Sequence, residues 1–162
     1  MEEKSVSPFV TIIKSKPKLL ALLIILLPVL SVTIDNTILS FALPQLTYAL
    51  SPSAAQQLWI IDAYALVLAS LLVTMGGIGD RKGHKKVLFI GSLGFSIISF
   101  IIIFSQNAGQ IIAGRAALGF FGAMILPATL ALIRSTFLDR EERRLVVAAW
   151  ATCLTIGSVL GP

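Results

Sequence analysis

Five long apolar stretches, separated by short polar segments, organise the chain. They lie at about residues 19–43, 58–78, 87–104, 111–137 and 145–162. A helix needs about 20 mainly apolar residues to cross the hydrocarbon core of a bilayer. Four stretches are complete by that measure, and the fifth is most of one. The pattern therefore predicts an all-α, polytopic membrane protein whose short connections make neighbouring helices antiparallel.

The connecting segments contain residues that end helices. Residues 44–57 include Pro44, Ser51, Pro52 and Ser53, which favour a turn between the first two helices. The first apolar stretch is too long for the core of a cleavable signal peptide, which has about 7–15 residues. We therefore expect this stretch to stay in the membrane as the first helix.

The composition agrees with a membrane protein and excludes an ordinary soluble domain. Hydrophobic residues make up 56% of the chain and charged residues 13%, and the mean hydropathy is +0.92. Soluble domains carry roughly 25% charged residues. The net charge of +5 does not indicate a nucleic-acid partner, because no aromatic residues interleave with the basic clusters.

Basic residues occupy alternate polar segments, whereas the first and third connections between apolar stretches carry no charge. Positive residues stay on the cytoplasmic side of a membrane. We therefore expect residues 1–18 to form a cytoplasmic segment of a cell-membrane protein, with Arg115 as the one basic residue outside this arrangement. The cytoplasmic basic residues are Lys4, Lys14, Lys16, Lys18, Arg81, Lys82, Lys85, Lys86, Arg134, Arg140, Arg143 and Arg144.

Three ionisable residues interrupt the apolar stretches: Asp35, Asp62 and Arg115. A charge at the bilayer centre costs about 2.5–3.5 kcal/mol on insertion scales, so such residues usually face a protein interior or a water-filled cavity. The rise of a helix places Asp35 about 12 Å from the outer end of its stretch and the other two about 6 Å from theirs. We expect the three side chains to share one polar cavity in the outer half of the membrane.

A carboxylate in a low-dielectric cavity can bind a proton, and when ionised it attracts an organic cation. Because proton and cation compete for the same group, Asp35, Asp62 and Arg115 are candidates for a proton- and cation-binding site. The alternative is a static ion pair between Arg115 and one aspartate that only holds the helices together.

The second connection reads GGIGDRKGHKKVL over residues 76–88. It resembles the signature loop between helices two and three of the major facilitator superfamily, although His84 stands where an arginine is usual. The resemblance implies that this loop gates the cytoplasmic entrance, and a glycine at position 83 allows a tight turn. The candidate gating residues are Gly76, Asp80, Arg81, Gly83 and Lys85.

Three further segments resemble the same family. Residues 111–123, with Arg115 and Gly119, are similar to its helix-four pattern, and residues 33–44 are similar to helix one of its 14-helix drug:proton antiporters. The last six residues, GSVLGP, resemble the first part of an antiporter motif in helix five. The motif residues are Gly157, Gly161 and Pro162.

The resemblance is strongest to the staphylococcal quaternary-ammonium, or antiseptic-resistance, exporters. It implies the first four to five transmembrane helices of a major-facilitator N-terminal half, truncated within helix five and inactive without the remaining helices. The implied activity is export of lipophilic organic cations in exchange for protons, with no enzymatic activity, cofactor or metal. Two alternatives stay open: a transporter of a sugar, peptide or anion, and a membrane scaffold without transport.

Overall fold

The structure, a computed structural model, describes Ile12 and residues 15–160, with only the backbone for residues 156–160. The described part folds into five helices and contains no strand, which confirms the all-α prediction. Most of the expected N-terminal segment lies outside the described residues. The helices are α1 (Lys16–Leu50), α2 (Ala54–Lys82), α3 (His84–Ile102), α4 (Ala108–Thr136) and α5 (Arg140–Leu160).

Four of the five helices, α1 to α4, are long and apolar enough to cross a membrane, counted among the described residues. The fifth, α5, begins with a charged first turn that carries Glu141 and Glu142. Several such helices in one chain indicate a multi-pass membrane protein.

The first helix is longer than its apolar stretch. It runs through Pro44 to Leu50, so the turn expected from Pro44 forms only at Ser51, where φ is 42°. Membrane helices tolerate proline because neighbouring groups and local adjustments satisfy the freed backbone carbonyl. The apolar pattern shows which part of a helix contacts lipid. It underestimates the length of the helix, because the helix continues beyond the lipid-contacting part.

Side-chain caps set the start of α2 and α4. Ser53 and Gln56 form a reciprocal capping box at the start of α2, and Asn107 accepts a hydrogen bond from the backbone of Gln110 at the start of α4. Such caps satisfy backbone N–H groups that the first turn leaves free. Both helices consequently begin before their apolar stretches.

Gly83 is the single residue that separates α2 from α3. Its φ of 93° lies in a region that L side chains rarely adopt, so glycine is required for the chain to turn there without strain. The tight turn predicted at this residue is confirmed.

Helix α4 is the centre of the bundle and packs against each of the other four helices. In the most apolar 18-residue segment of α4, 56% of the residues are buried, whereas in the corresponding segments of α1, α2 and α3 only 17–22% are buried. Gly119 brings α4 close to α2, because a Cβ atom there would lie 2.5 Å from the carbonyl oxygen of Tyr64. Small residues of this kind allow two membrane helices to approach.

Candidate functional site

Arg115 lies in the second turn of α4 and is almost completely buried. Its guanidinium group reaches two neighbouring helices. Nη1 donates to Oδ2 of Asp35 at 2.6 Å, and Nη2 donates to Oδ1 of Asn36 at 3.0 Å, both on α1. Nε donates to the backbone carbonyl of Ile60 on α2 at 3.3 Å. Each of the three nitrogens of the charged group therefore has an acceptor.

The ring of Tyr64 completes the surroundings of the arginine. Cζ of Arg115 lies 4.6 Å from the ring centroid, a distance at which a cation is attracted to the aromatic face. The tyrosine is itself buried, and its hydroxyl lies against α4, 3.1 Å from where a Cβ atom at Gly122 would be. Tyr64 and Ile60, one turn apart on α2, thus hold the guanidinium from the same side.

The two partners of this ion pair differ in accessibility. The side chain of Arg115 is 5% exposed and that of Asp35 is 23% exposed. The cation is therefore enclosed by three helices, while the carboxylate lies nearer the surface of the bundle.

An apolar cluster lies one turn away from the pair, towards the end of the bundle where α1 ends and α2 and α4 begin. Its buried members are Ile60, Ala108 and Ile111, and partly buried leucines of α1 pack against it. Apolar packing of this kind excludes water from the neighbouring polar groups. It separates the ion pair from that end of the bundle.

Asp62 does not join the pair. It is exposed, whereas Ile60 and Tyr64, two residues before and after it, are buried against α4. Positions two residues apart do not lie on the same face of a helix. The structure thus brings Asp35 and Arg115 together, and the expected cavity shared by all three residues does not form.

In the signature loop, Asp80 pairs with His84. Nε2 of His84 lies 3.1 Å from Oδ1 of Asp80, and the histidine is the first residue of α3. The imidazole packs on Gly79, where a Cβ atom would lie 2.5 Å from Nδ1. Any side chain at position 79 would therefore clash with the imidazole, so this position of His84 requires a glycine there.

Among the described contacts, the other expected gating residues form no hydrogen bond or ion pair with the side chains of Asp80 and His84. Arg81 and Lys85 are exposed, and a Cβ atom at Gly76 would meet Pro127 of α4 at 3.7 Å. Of the antiporter motif, Gly157 falls within α5, while Gly161 and Pro162 are outside the described residues. The functional roles of all these residues remain predictions.

Three side-chain contacts could not be predicted from the sequence pattern. Asn36 and Tyr64 hold Arg115, and only the position of Asn36 beside Asp35 hinted at a role. At the opposite end of the bundle, Nζ of Lys18 on α1 bonds both carboxylate oxygens of Glu142 on α5, at 2.6 and 2.7 Å. No local pattern links residues so far apart in the chain.

A metal site is not indicated within the part of the chain that the structure describes. No group of three or more His, Cys, Asp or Glu side chains there could hold a metal ion. At the site, Asp35 is instead paired with the basic side chain of Arg115.

Residues 22–162 match the family described as Major Facilitator Superfamily. The chain belongs to the major facilitator superfamily. This match confirms the major-facilitator resemblance predicted from the sequence. The family consists of membrane transporters. The narrower resemblance to the staphylococcal exporters stays a prediction.

Several curated members of the superfamily are similar to this chain over 87–88% of its length. The multidrug efflux pump LfrA of Mycolicibacterium smegmatis is 52% identical over 142 residues, which are 28% of that protein. The methyl viologen resistance protein SmvA of Salmonella typhimurium is 42% identical over 143 residues, 29% of its length. The methylenomycin A resistance protein of Bacillus subtilis is 33% identical over 141 residues, 30% of its length. The chain thus spans less than a third of these relatives.

Proposed function

We propose that this chain carries the coupling site of a proton-driven exporter of lipophilic organic cations, and that Asp35 binds proton and cation in turn. The observation that carries the proposal is the ion pair between Asp35 and Arg115, buried among helices that cross a membrane. Ionisable groups at such depth are costly and usually belong to a transport pathway.

The partners of Arg115 allow the carboxylate to change its state. If Asp35 takes up a proton and releases the arginine, Asn36, the carbonyl of Ile60 and the ring of Tyr64 still hold the guanidinium. The buried cation is then not left without acceptors, which would cost far more than losing one bond. Proton uptake at Asp35 can therefore occur without dismantling the bundle.

Arg115 also acts as a competitor for the carboxylate. A proton, an organic cation and the guanidinium all seek the same negative charge, so binding one weakens binding of the others. Because the carboxylate is the more accessible partner, exchange takes place on the Asp35 side. This competition is the physical basis for coupling proton entry to cation exit.

The names of two relatives support organic cations as the exported solutes. One is named a multidrug efflux pump and another is named for resistance to methyl viologen, which is an organic dication. A carboxylate beside apolar helices suits such solutes, since it attracts their charge while the helices accept their hydrophobic parts.

We assign supporting roles to the remaining candidates. Asp62 is an exposed carboxylate on a helix that crosses the membrane; exposure to lipid would be costly, so its face of α2 turns towards the solute path. The Asp80–His84 pair and the basic residues around it form the gate. The distribution of basic residues supports a cytoplasmic N-terminus, and we propose that the protein lies in the cell membrane.

The test is Asp35→Asn in the full-length gene product that contains this chain. Purified protein in liposomes with an imposed pH gradient should lose proton-driven methyl viologen transport, because asparagine cannot exchange a proton or attract a cation. Glu141→Gln, which removes one negative charge from an exposed position, is the matched control and should transport normally. Wild-type transport by correctly inserted Asp35→Asn protein would refute the proposal.

A further inference from the structure

Four arginines line one open cavity of about 550 Å³, together with Val147. Arg134 comes from the last turn of α4, and the other three come from the start of α5. The cavity lies far from the ion pair of Asp35, at the end of the bundle where Lys18 also lies. The arginines are Arg134, Arg140, Arg143 and Arg144.

These arginines have no acidic partner among the residues that the structure describes, where the ion pairs lie elsewhere. The nearby acids are mostly engaged. Asp139 accepts the backbone N–H groups of Glu141 and Glu142 at the start of α5, and the carboxylate of Glu142 is buried against Lys18. The four arginines therefore outnumber the neighbouring carboxylates of Asp139 and Glu141, and none of the four is held in a direct ion pair among the described residues.

Guanidinium groups recognise phosphate in particular. Their planar N–H donors match two phosphate oxygens at once, which makes Arg–phosphate contacts both strong and directional. Several arginines around one cavity can surround a phosphate from different sides, and binding it relieves their mutual repulsion. The chemistry of the lining thus indicates a phosphate-bearing ligand.

The surroundings favour a phosphate attached to lipid. Leu138, in the connection between α4 and α5, is 81% exposed, and Leu145 and Val147 of α5 are also exposed. These apolar side chains flank the arginines where the helices enter the membrane. A ligand with a charged headgroup and an acyl chain would satisfy both kinds of surface, whereas a free anion would use only the first.

We propose that the cavity formed by Arg134, Arg140, Arg143 and Arg144 binds the phosphate headgroup of an anionic phospholipid. The site fixes the junction of α4 and α5 at the membrane surface and makes the protein's stability depend on lipid charge. It requires only that the chain be embedded in a bilayer, and it does not depend on the proposed transport chemistry.

The test measures lipid binding by native mass spectrometry of the full-length gene product in detergent, titrated with phosphatidylglycerol or phosphatidylcholine. The variant Arg134→Gln/Arg144→Gln should bind phosphatidylglycerol at least about tenfold more weakly, since it loses two of the charge-assisted contacts to the phosphate. The matched control is Lys82→Gln/Lys86→Gln, which removes the same charge from exposed lysines around the neighbouring connection. Because these lysines do not line the cavity, the control should weaken binding clearly less than the double arginine variant does.

A third variant, Arg134→Lys/Arg144→Lys, keeps the charge and removes the planar donors, and should bind phosphatidylglycerol with intermediate strength. If Lys82→Gln/Lys86→Gln weakened phosphatidylglycerol binding as much as Arg134→Gln/Arg144→Gln, the proposed site would be overturned, because general surface charge would explain the binding. Equal binding of the two lipids by the wild type, or unchanged binding by the double arginine-to-glutamine variant, would also overturn it. Binding of inorganic phosphate as tightly as phosphatidylglycerol would overturn the lipid assignment.

Discussion

Two ion pairs connect helices that are distant in the sequence, and they differ in which partner is accessible. Arg115 and Asp35 meet at 2.6 Å, with the arginine 5% and the aspartate 23% exposed. Lys18 and Glu142 also meet at 2.6 Å, but here the lysine is 36% and the glutamate 8% exposed. One pair thus buries its cation, and the other buries its carboxylate.

The difference supports the proposal that one pair is an exchange site and the other a tether. A less enclosed carboxylate can exchange its partner for a proton or another cation more readily than a buried carboxylate held by two hydrogen bonds. Among the residues that the structure describes, the ammonium group of Lys18 bonds one carboxylate, that of Glu142. We therefore infer that the Lys18–Glu142 pair fastens α1 to α5 while the Asp35–Arg115 pair changes state.

The largest effect is expected from Arg115→Gln, which removes the buried member of the exchange pair. Breaking a buried ion pair from one side typically costs about 3–5 kcal/mol in unfolding free energy. Adding Asp35→Asn should recover part of the loss, with an interaction energy of about 0.5–3 kcal/mol. Thermal unfolding of the three variants in detergent measures both values, and strictly additive losses would contradict a direct coupling.

Glu142→Gln should have a smaller effect on stability and none on coupling. Losing a hydrogen-bonded charge pair costs about 1.5–3 kcal/mol, while the neighbouring exposed Glu141→Gln should stay within about 0.5 kcal/mol. Proton-driven transport per folded molecule should match the wild type in both variants. Loss of the pH dependence of transport in Glu142→Gln would show that the second pair is more than a tether.

The smallest effect on stability is expected from replacing Tyr64, whose ring packs against the guanidinium of Arg115. Tyr64→Leu should lose the cation–π attraction, about 1–2 kcal/mol for a desolvated pair, and should loosen the arginine when Asp35 is protonated. Tyr64→Phe keeps the ring and is the matched control. The two variants should differ in how transport rate varies with pH. Identical pH profiles would show that the ring of Tyr64 has no role in the exchange of the Asp35–Arg115 pair.

Much of the fold follows from local pattern. Apolar stretches locate the helices, and Gly83 marks the turn between α2 and α3 because its φ of 93° is a backbone property. Helix lengths were harder to predict. Pro44 resembles a helix stop in isolation, but α1 continues through it to Leu50, because membrane helices accommodate proline where a water-soluble helix rarely does.

The sequence by itself determined that two aspartates and one arginine lie within membrane-crossing segments, since their apolar flanks leave no other place for them. Only the tertiary structure decided that Arg115 pairs with Asp35 and that Asp62 stays apart. Helical periodicity assigns each residue to a face of its own helix, but the rotation of one helix against another depends on packing. Here Gly119 lets α4 contact the backbone at Tyr64, and that contact turns Ile60 and Tyr64 inward and Asp62 outward.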